Sequence, residues 1–310
     1  MEKISIIIPT YNAEKHLKKL LPQLEKQTLK ITEIIIIDSS SRDNTTNLAK
    51  SFGIKSIIIP KESFDHGETR TKAAKLAKGD ILVYLTQDAL PYDENTIANI
   101  IKPFTKDKKI GAAYGRQIPY NDTGLFGKHL RYFNYPDKSY IREYKDKEKY
   151  GIKAAFLSNS FAAYRKNVLE EIGWFKNKLI LGEDNYAGAK ILKAWYKIAY
   201  VAEAKVYHSH SYTIWQEFKR YFDIGVFHKC ENWILEEFGK AEGEGIRYIK
   251  SELKFLLDNR VYYLLPEFFV RNFLKFVGYK LGYNHDKIPK GIVKKLSMHS
   301  TWWDKKKKSK

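Results

Sequence analysis

Cysteine is nearly absent: Cys230 alone in 310 residues excludes a disulfide framework and a Cys-rich zinc site, and fits a reducing compartment. Long hydrophobic runs are absent too, and no stretch approaches the roughly 20 apolar residues that a membrane-spanning helix needs. The apolar run at residues 4–8 is too short for a signal peptide, and PTYN follows it. A cytoplasmic protein is therefore expected, one free to sit on the inner face of the cell membrane. Two familiar phosphate loops are missing as well. Neither GxGxxG nor GxxxxGKS/T occurs anywhere, which argues against a Rossmann dinucleotide site and a P-loop. Acidic residues are outnumbered, 36 against 55 Lys and Arg, for a net charge of +19.

What is present is an α/β pattern. At 44% hydrophobic the chain can bury a real core, and its length suits one large α/β domain, alone or with a helical part appended. Apolar strands are predicted at 4–8, 33–37, 54–59 and 81–85, with helices at about 13–27, from Asp43 to Phe52 and at about 68–77 between them. Continuous apolar strands alternating with helices predict a largely parallel sheet covered on both faces. Further strands are predicted at 111–114, near 155–161 and at 198–206, with helices at 165–172 and from Glu183 onward. The aromatic stretch 111–151, rich in Asn, Asp, Gly and Pro, reads after its strand as long loops around one short helix.

Polar residues cluster where these strands end. The run at 81–85 stops at Thr86-Gln87-Asp88, the first strand at Pro9-Thr10-Tyr11-Asn12, and the second at Asp38-Ser39-Ser40-Ser41. In open α/β sheets ligands bind at that edge. Glu183-Asp184 stands at a helix N-terminus, and HSHSY puts His208 and His210 on one side of the chain as the last strand ends. Singly, each has a plain structural role: Asp88 and the 183–184 pair as helix caps, Asp38 as a turn residue. Together, an Asp and a His suit a divalent cation whose other ligands are diphosphate oxygens and water, with a second carboxylate left over as general base.

In this order, IIIPTYN, EIIIIDSSSRDNT, GETRTKAAKLAKGDILVYLTQDA, GEDNYAGAKILKAWYKIAY and HSH resemble a family 2 inverting glycosyltransferase of the GT-A fold. FDHGETR, TQDA, HSHSYTIWQEFKRYFDIG and the tail KFVGYKLGYNHDKIPKGIVKKLSMHSTWW resemble, more narrowly, bacterial L-rhamnosyltransferases that use dTDP-rhamnose. The resemblance implies nucleotide-sugar contacts at Pro9, Thr10, Tyr11, Asn12, Asp38, His66, Arg70, Gln87 and Asp88, with Arg220 adding positive charge near the leaving group. It implies Mg²⁺ or Mn²⁺ at Asp88 and His208, Asp184 as catalytic base and Glu183 as its support. His210 is a weaker metal candidate. For His66 a helix cap, and for Arg220 an exposed helical position, are equally good readings. The chain departs from the family pattern where Thr86 replaces the first Asp of the metal motif, and at Thr71, where many relatives carry Asn.

The implied domains are a catalytic part, 1–225, and a basic helical extension, 226–310. From Lys240 to the end, 17 Lys and Arg face 7 Asp and Glu. Ile246, Ile249, Leu253, Leu256 and Leu257 recur at helical spacing, as do Tyr262, Leu265, Phe269, Phe273, Phe276 and Val277, with Pro266 starting or kinking the second helix. Arg271, Lys275 and Lys280 lie off the apolar stripe. Two readings stand side by side. One is a basic amphipathic surface on anionic lipid near a lipid-linked acceptor, with Trp302-Trp303 and the Lys-rich tail as anchor. The other is a core that packs on the catalytic part or, in a homodimer, on a second copy. The expected partners are a nucleotide-sugar donor and a saccharide or lipid-linked acceptor. A donor linked to UDP or GDP, or a sugar-phosphate nucleotidyltransferase, is the enzyme alternative. A nucleic-acid binder would account for the charge, but not for carboxylates and histidines at strand ends, and no binding motif for one is visible.

Overall fold

The computed structural model describes residues 2–239 and 242–305. The chain begins β1 (Ile4–Thr10), α1 (Glu14–Glu25), β2 (Glu33–Asp38), α2 (Thr45–Ser51), β3 (Ser56–Ile58), α3 (His66–Leu76) and β4 (Ile81–Leu85). It continues β5 (Leu90–Pro91), α4 (Thr96–Lys106), β6 (Ile110–Ile118), α5 (Leu125–Asn134), β7 (Tyr140–Arg142) and α6 (Lys147–Tyr150). Next come β8 (Phe161–Arg165), α7 (Lys166–Glu171), α8 (Glu183–Lys193) and β9 (Lys197–Tyr207). No strand follows among the described residues. Helices α9 (Ile214–Cys230), α10 (Asn232–Phe238), α11 (Glu242–Asp258), α12 (Leu265–Tyr283), α13 (Lys290–Leu296) and α14 (Trp302–Lys305) follow.

The sheet runs β3-β2-β1-β4-β8-β6-β9-β5, with β7 also paired to β9. Its first four strands are parallel, as their continuous apolar character requires. Beyond β4 the sheet is mixed: β8 lies antiparallel between β4 and β6, while β6 and β9 are parallel. Strand alternation sorts the core into two layers. Ile4, Ile6 and Ile8, with Ile81, Val83 and Leu85, meet Leu17, Leu20 and Leu21 of α1 and Ile97 and Ile100 of α4. Ile7, Leu82 and Tyr84 belong to the opposite layer, with Ala73 and Ala74 of α3, Ile191 and Leu192 of α8 and Phe222 of α9.

Three strand boundaries shift, and the strand expected at 111–114 runs on to Ile118 as β6 because it pairs with β9 as far as Tyr207. The strand expected near 155–161 begins only at Phe161. Residues 151–155 form a 3₁₀ turn and 156–160 a loop, whose Ala154, Ala155 and Leu157 are buried, so their apolarity marks a buried loop. β3 is shorter than 54–59 because it is the sheet edge, with Ile58 exposed.

Helix α12 lies along α9 at close range. A Cβ on Gly225 would fall 2.2 Å from the Tyr279 carbonyl oxygen, and one on Gly282 1.9 Å from that of Phe222. Residue 225 is inside α9, so the expected end of the catalytic part falls within a helix. Pro266 sits in the first turn of α12 and starts it without a kink. The expected orientation of α12 is corrected. Arg271 and Lys275 are buried, Arg271 3.0 Å from Glu217 and Lys275 3.7 Å from Glu252, while Phe269, Phe273 and Phe276 are exposed. The reason is that the glycine face must meet α9, which turns the phenylalanine stripe outward. Trp302 and Trp303 are half-buried and pack toward the core. The lysines at 306–310 lie outside the described residues.

Candidate active site

The ends of β1, β2 and β4 frame a cavity of about 1220 Å³. Pro9, Thr10, Tyr11, Ser39, Thr86 and Gln87 line it. Gln87 ties β1 to β4: its Oε1 accepts the Tyr11 N–H at 2.9 Å and its Nε2 donates to the Tyr11 carbonyl at 3.3 Å. Lys61 donates to the Tyr11 hydroxyl at 2.6 Å, so a cation stands at the mouth. Asn12 stands apart from this lining, exposed, its Oδ1 accepting from the Arg42 amide. Asp38 is fully buried. Its carboxylate accepts from the Thr10 hydroxyl at 2.8 Å and from the Ser41 amide and hydroxyl at 2.8 and 2.6 Å. In this state it organises the loop and does not face the cavity.

His66 and Arg70 enter the cavity from the first turns of α3, and it is Asp65, not His66, that caps the helix, accepting from the Glu68 amide. Arg70 Nη1 donates to the His66 carbonyl at 3.1 Å and reaches Glu183 Oε1 at 3.2 Å, both side chains buried. Burial lowers the His66 pKa against the opposing charge of Glu183, so this imidazole is neutral at pH 7.

Glu183 and Asp184 open α8 behind Gly182, whose φ of 81° is the left-handed conformation glycine tolerates. Asn159 holds both: its amide N–H donates to Asp184 Oδ2 at 3.1 Å, and its side-chain nitrogen to Glu183 Oε1 at 3.1 Å. Tyr164 fixes the side chain by donating to Asn159 Oδ1 at 2.8 Å. The two carboxyls part company. Burial pushes both up, but at Glu183 the Arg70 guanidinium, with smaller help from His66 and from hydrogen bonds to Asn159 and the helix backbone, more than offsets it, and the carboxyl ends below the usual range. Asp184 is pushed up to about 6, by burial first and by the Glu183 charge second. A fixed charge beside a carboxylate poised near neutral pH is the arrangement of a supported general base.

Asp88, His208 and His210 meet at the far side of the β4 end. Ligand atoms of the three lie within 4.8 Å of one another, and His208 Nε2 and His210 Nε2 are 3.5 and 3.7 Å from Asp88 Oδ2. His208 Nδ1 donates to Gln117 Oε1 at 2.8 Å. That oxygen also accepts from Arg131 Nη1, while Gln117 Nε2 donates to Ser158 Oγ at 3.0 Å. Gln117 can therefore only accept from the imidazole, which leaves the Nε2 lone pair aimed at Asp88. Burial lowers the pKa of His208, and pushes that of His210 down to about 4. Burial raises Asp88, but its neighbours His208, Thr86 and His210 together more than compensate and hold it low. Two neutral imidazoles and one carboxylate fit a divalent cation, and favour Mn²⁺ over the harder Mg²⁺.

One loop joins the two clusters. Ser158 supports Gln117, Asn159 holds Glu183 and Asp184, and the Ser160 carbonyl accepts from the Thr86 amide at 3.2 Å, two residues before Asp88. Arg220 is exposed on α9, 5.9 Å from the Tyr212 ring, and its charge is felt at His66 and at His208. Of the expected side chains, Pro9, Thr10, Tyr11, His66, Arg70 and Gln87 line the cavity, Glu183 and Asp184 join Arg70 through Asn159, and Asp88 meets His208 and His210; Asn12 and Arg220 are exposed and Asp38 is sealed in. Gln117, Arg131 and Asn159 were not expected. For Gln117 a signal existed: it stands at the end of its strand, as Asp88 does.

The profile of the family described as Glycosyl transferase family 2 matches residues 5–173, more than half of the chain. This chain belongs to glycosyl transferase family 2. The glycosyltransferase is 45% identical over 304 residues to the O-antigen chain rhamnosyltransferase RfbN of Salmonella typhimurium, covering 97% of this chain and 96% of that one. It is 44% identical over 306 residues to WbaN of Salmonella anatum, also named an O-antigen chain rhamnosyltransferase, covering 98% and 96%. Solved structures share the GT-A fold at low identity. The mannosyltransferase PcManGT from Pyrobaculum calidifontis, in complex with GDP-Man and Mn²⁺, has a TM-score of 0.66 at 14% identity over 92% of this chain and 88% of its own. Residues 1–349 of TarS from Staphylococcus aureus, in complex with UDP-GlcNAc, have a TM-score of 0.56 at 16% identity over 92% and 91%.

Proposed function

We propose that this glycosyltransferase moves L-rhamnose from dTDP-rhamnose to a hydroxyl of a saccharide or lipid-linked acceptor in cell-surface polysaccharide synthesis, with inversion at the anomeric carbon. The observation that carries the reading is the 158–160 loop, which holds a base pair of carboxylates on one side and supports a cation-binding cluster on the other. The names of the full-length relatives supply the sugar. In this reading the donor nucleotide occupies the cavity at Pro9, Thr10, Tyr11 and Gln87, with the diphosphate toward Arg70 and Asp88. Asp184 takes the proton of the acceptor hydroxyl as that oxygen attacks C1, and Glu183, paired with Arg70, stays charged and sustains Asp184's affinity for the proton. Asp88 and His208, with His210, would hold Mg²⁺ or Mn²⁺. When bound, such a cation offsets the negative charge that grows on the departing diphosphate. Holding donor and acceptor in line supplies a further share of the acceleration.

Residues 1–225 form the catalytic part in this proposal, and 226–310 an extension that rests on an anionic cytoplasmic leaflet. No helix among the described residues is long and apolar enough to cross a membrane, so contact would be peripheral. A second reading keeps the mechanism with a UDP- or GDP-linked donor, since structures of this fold hold GDP-Man and UDP-GlcNAc. Nucleotide release from a panel of dTDP-, UDP- and GDP-sugars, with Mg²⁺, Mn²⁺ or EDTA, separates the two. Metal-dependent release from dTDP-rhamnose, lost in Asp88→Ala, is expected; preference for another nucleotide overturns the rhamnose assignment and leaves the mechanism standing.

A further inference from the structure

The end of the chain returns to the nucleotide side of the sheet. Asp223 of α9 is fully buried, and its Oδ2 accepts the main-chain N–H groups of Met298 at 2.9 Å and His299 at 3.0 Å. From that clamp the backbone passes over the large cavity. The His299 ring stands edge-on to His66, with centroids 5.7 Å apart. Trp302 Nε1 donates to the Lys178 carbonyl at 3.0 Å, and the Lys178 N–H donates in turn to Asp65, the cap of α3. Thr301, Trp302 and Asp304 line the same cavity as Tyr11, Arg70 and Gln87. Trp302 also lines a second cavity of about 230 Å³, beside Phe227 and Glu231. Its indole is a partition between two spaces.

A partition of this kind has a defined chemistry. The indole N–H is committed to Lys178, so what the ring presents to the large cavity is carbon surface, held in one orientation by hydrogen bonds at both ends of the segment. The cavity exceeds the 300–1,000 Å³ or so of a usual small-molecule site, and Tyr11 and Phe64 line it together with Trp302. An apolar ring there gives a flat-faced ligand something to pack on.

We propose that Trp302 is a donor-binding residue whose indole packs against the bound nucleotide sugar, so that a segment far beyond the 5–173 family match helps to select the donor. The assignment rests on the nucleotide-sugar reading of the cavity. It goes beyond it by placing the closing wall in the C-terminal tail.

The test uses the full chain with Trp302→Ala and Trp302→Phe, titrated with dTDP-rhamnose and with dTDP, and read by calorimetry and intrinsic fluorescence. Wild type is expected to show Trp quenching by the nucleotide. Trp302→Ala should weaken donor binding and raise donor KM by about tenfold, in line with the loss of one aromatic stacking contact, with acceptor KM within about twofold. Trp302→Phe retains an aromatic ring; it should bind within about threefold of wild type and yet lose the quenching. Loss with both ligands places the contact on the nucleoside, and loss with dTDP-rhamnose alone places it on the sugar; both support the proposal. If wild type binds dTDP-rhamnose and both variants bind it equally well with quenching intact, Trp302 is only a packing residue and the proposal is overturned. If wild type binds neither ligand, the donor reading falls, and this assignment with it.

Discussion

Arg70 Nη1 lies 3.2 Å from Glu183 Oε1, and in the proposed mechanism this buried contact decides which of two adjacent carboxyls serves as base. The guanidinium secures the charge of Glu183, and that charge in turn helps to raise Asp184 to about 6. Replacing Asp184 by Asn is expected to lower kcat by about 10²–10⁴-fold, the usual worth of a general base. In wild type, kcat/KM should rise as pH passes through about 6, because only the ionised carboxylate can accept the acceptor's proton. Arg70→Met, by releasing the Glu183 charge, should shift that limb. A flat profile from pH 5 to 8 would remove Asp184 from the role.

The same displacement predicts a stability effect of opposite sense. Asp184 has an ordinary value of 3.8 and is raised to about 6 in the fold, so the native state holds a proton that the unfolded chain has released. Its contribution is full below about pH 4 and is lost as pH rises through 6. Above that, the ionised group costs on the order of 1–3 kcal/mol. Asp184→Asn should therefore melt above wild type at pH 8 and not at pH 4, while its turnover at pH 8 stays far below that of wild type. Melting curves at the two pH values check this.

Gln117 is expected to matter for the cation through His208, since it fixes which imidazole nitrogen carries the proton. Gln117→Leu removes the acceptor and leaves Nδ1 and Arg131 without their shared oxygen. Loss of such a partner behind a metal ligand typically costs 10–100-fold in affinity, so the Mn²⁺ concentration for half-maximal activity should rise by about that factor. Gln117→Glu keeps an acceptor and should stay near wild type. Equal metal dependence in Gln117→Leu and wild type would exclude the cation cluster as the activating site.

Residues at strand ends were legible because a continuous apolar run that stops at a polar residue reports both the strand and its exit. Asp88 and His208 were singled out that way, and Asp184 from its place at the start of a helix. The residues that hold them were not. Asn159 acts from a buried loop whose apolar neighbours imitate a strand, and Arg131 acts from a helix in the aromatic stretch, which read as long loops around one short helix of no stated position. Asp38 shows the converse: its place at a strand end was read correctly, but Thr10 and Ser41 use its oxygens, and hydrogen bonds made across the sheet leave no periodic trace. Helix α12 misled for another reason. Its aromatic stripe has core spacing, yet glycines on the other face set its orientation, and a close backbone approach is invisible until the partner helix is known.

That close approach is itself testable. Gly282 brings α12 so near α9 that a Cβ would fall 1.9 Å from the Phe222 carbonyl oxygen, and a backbone atom cannot move aside as a side chain can. Gly282→Ala should cost about 1–3 kcal/mol or more, seen as a lowered denaturation midpoint. Phe222 is in the core beneath the sheet, so donor turnover should fall with it. Gly243→Ala, where nothing lies within 4 Å, is the matched control.

The outward phenylalanines of α12 make the last prediction. Phe269, Phe273 and Phe276 are 63%, 65% and 58% exposed and share one helix face at positions i, i+4 and i+7. Lys250, Arg260 and Lys280 on α11, α12 and the turn between them are exposed as well. Exposed apolar groups with cations nearby suit the surface of an anionic bilayer, where burying each ring gains free energy and the charges attract the headgroups. The double variant Phe273→Ser with Phe276→Ser is expected to reduce flotation with anionic vesicles by at least about tenfold. Neutral vesicles should recruit wild type less, and added salt should weaken binding to anionic ones. Turnover of a water-soluble acceptor should be unchanged, because neither ring lines the cavity. Unaltered flotation of the double variant would mean that this face meets protein and not lipid. In that case sedimentation of wild type should reveal a dimer that the serines dissolve.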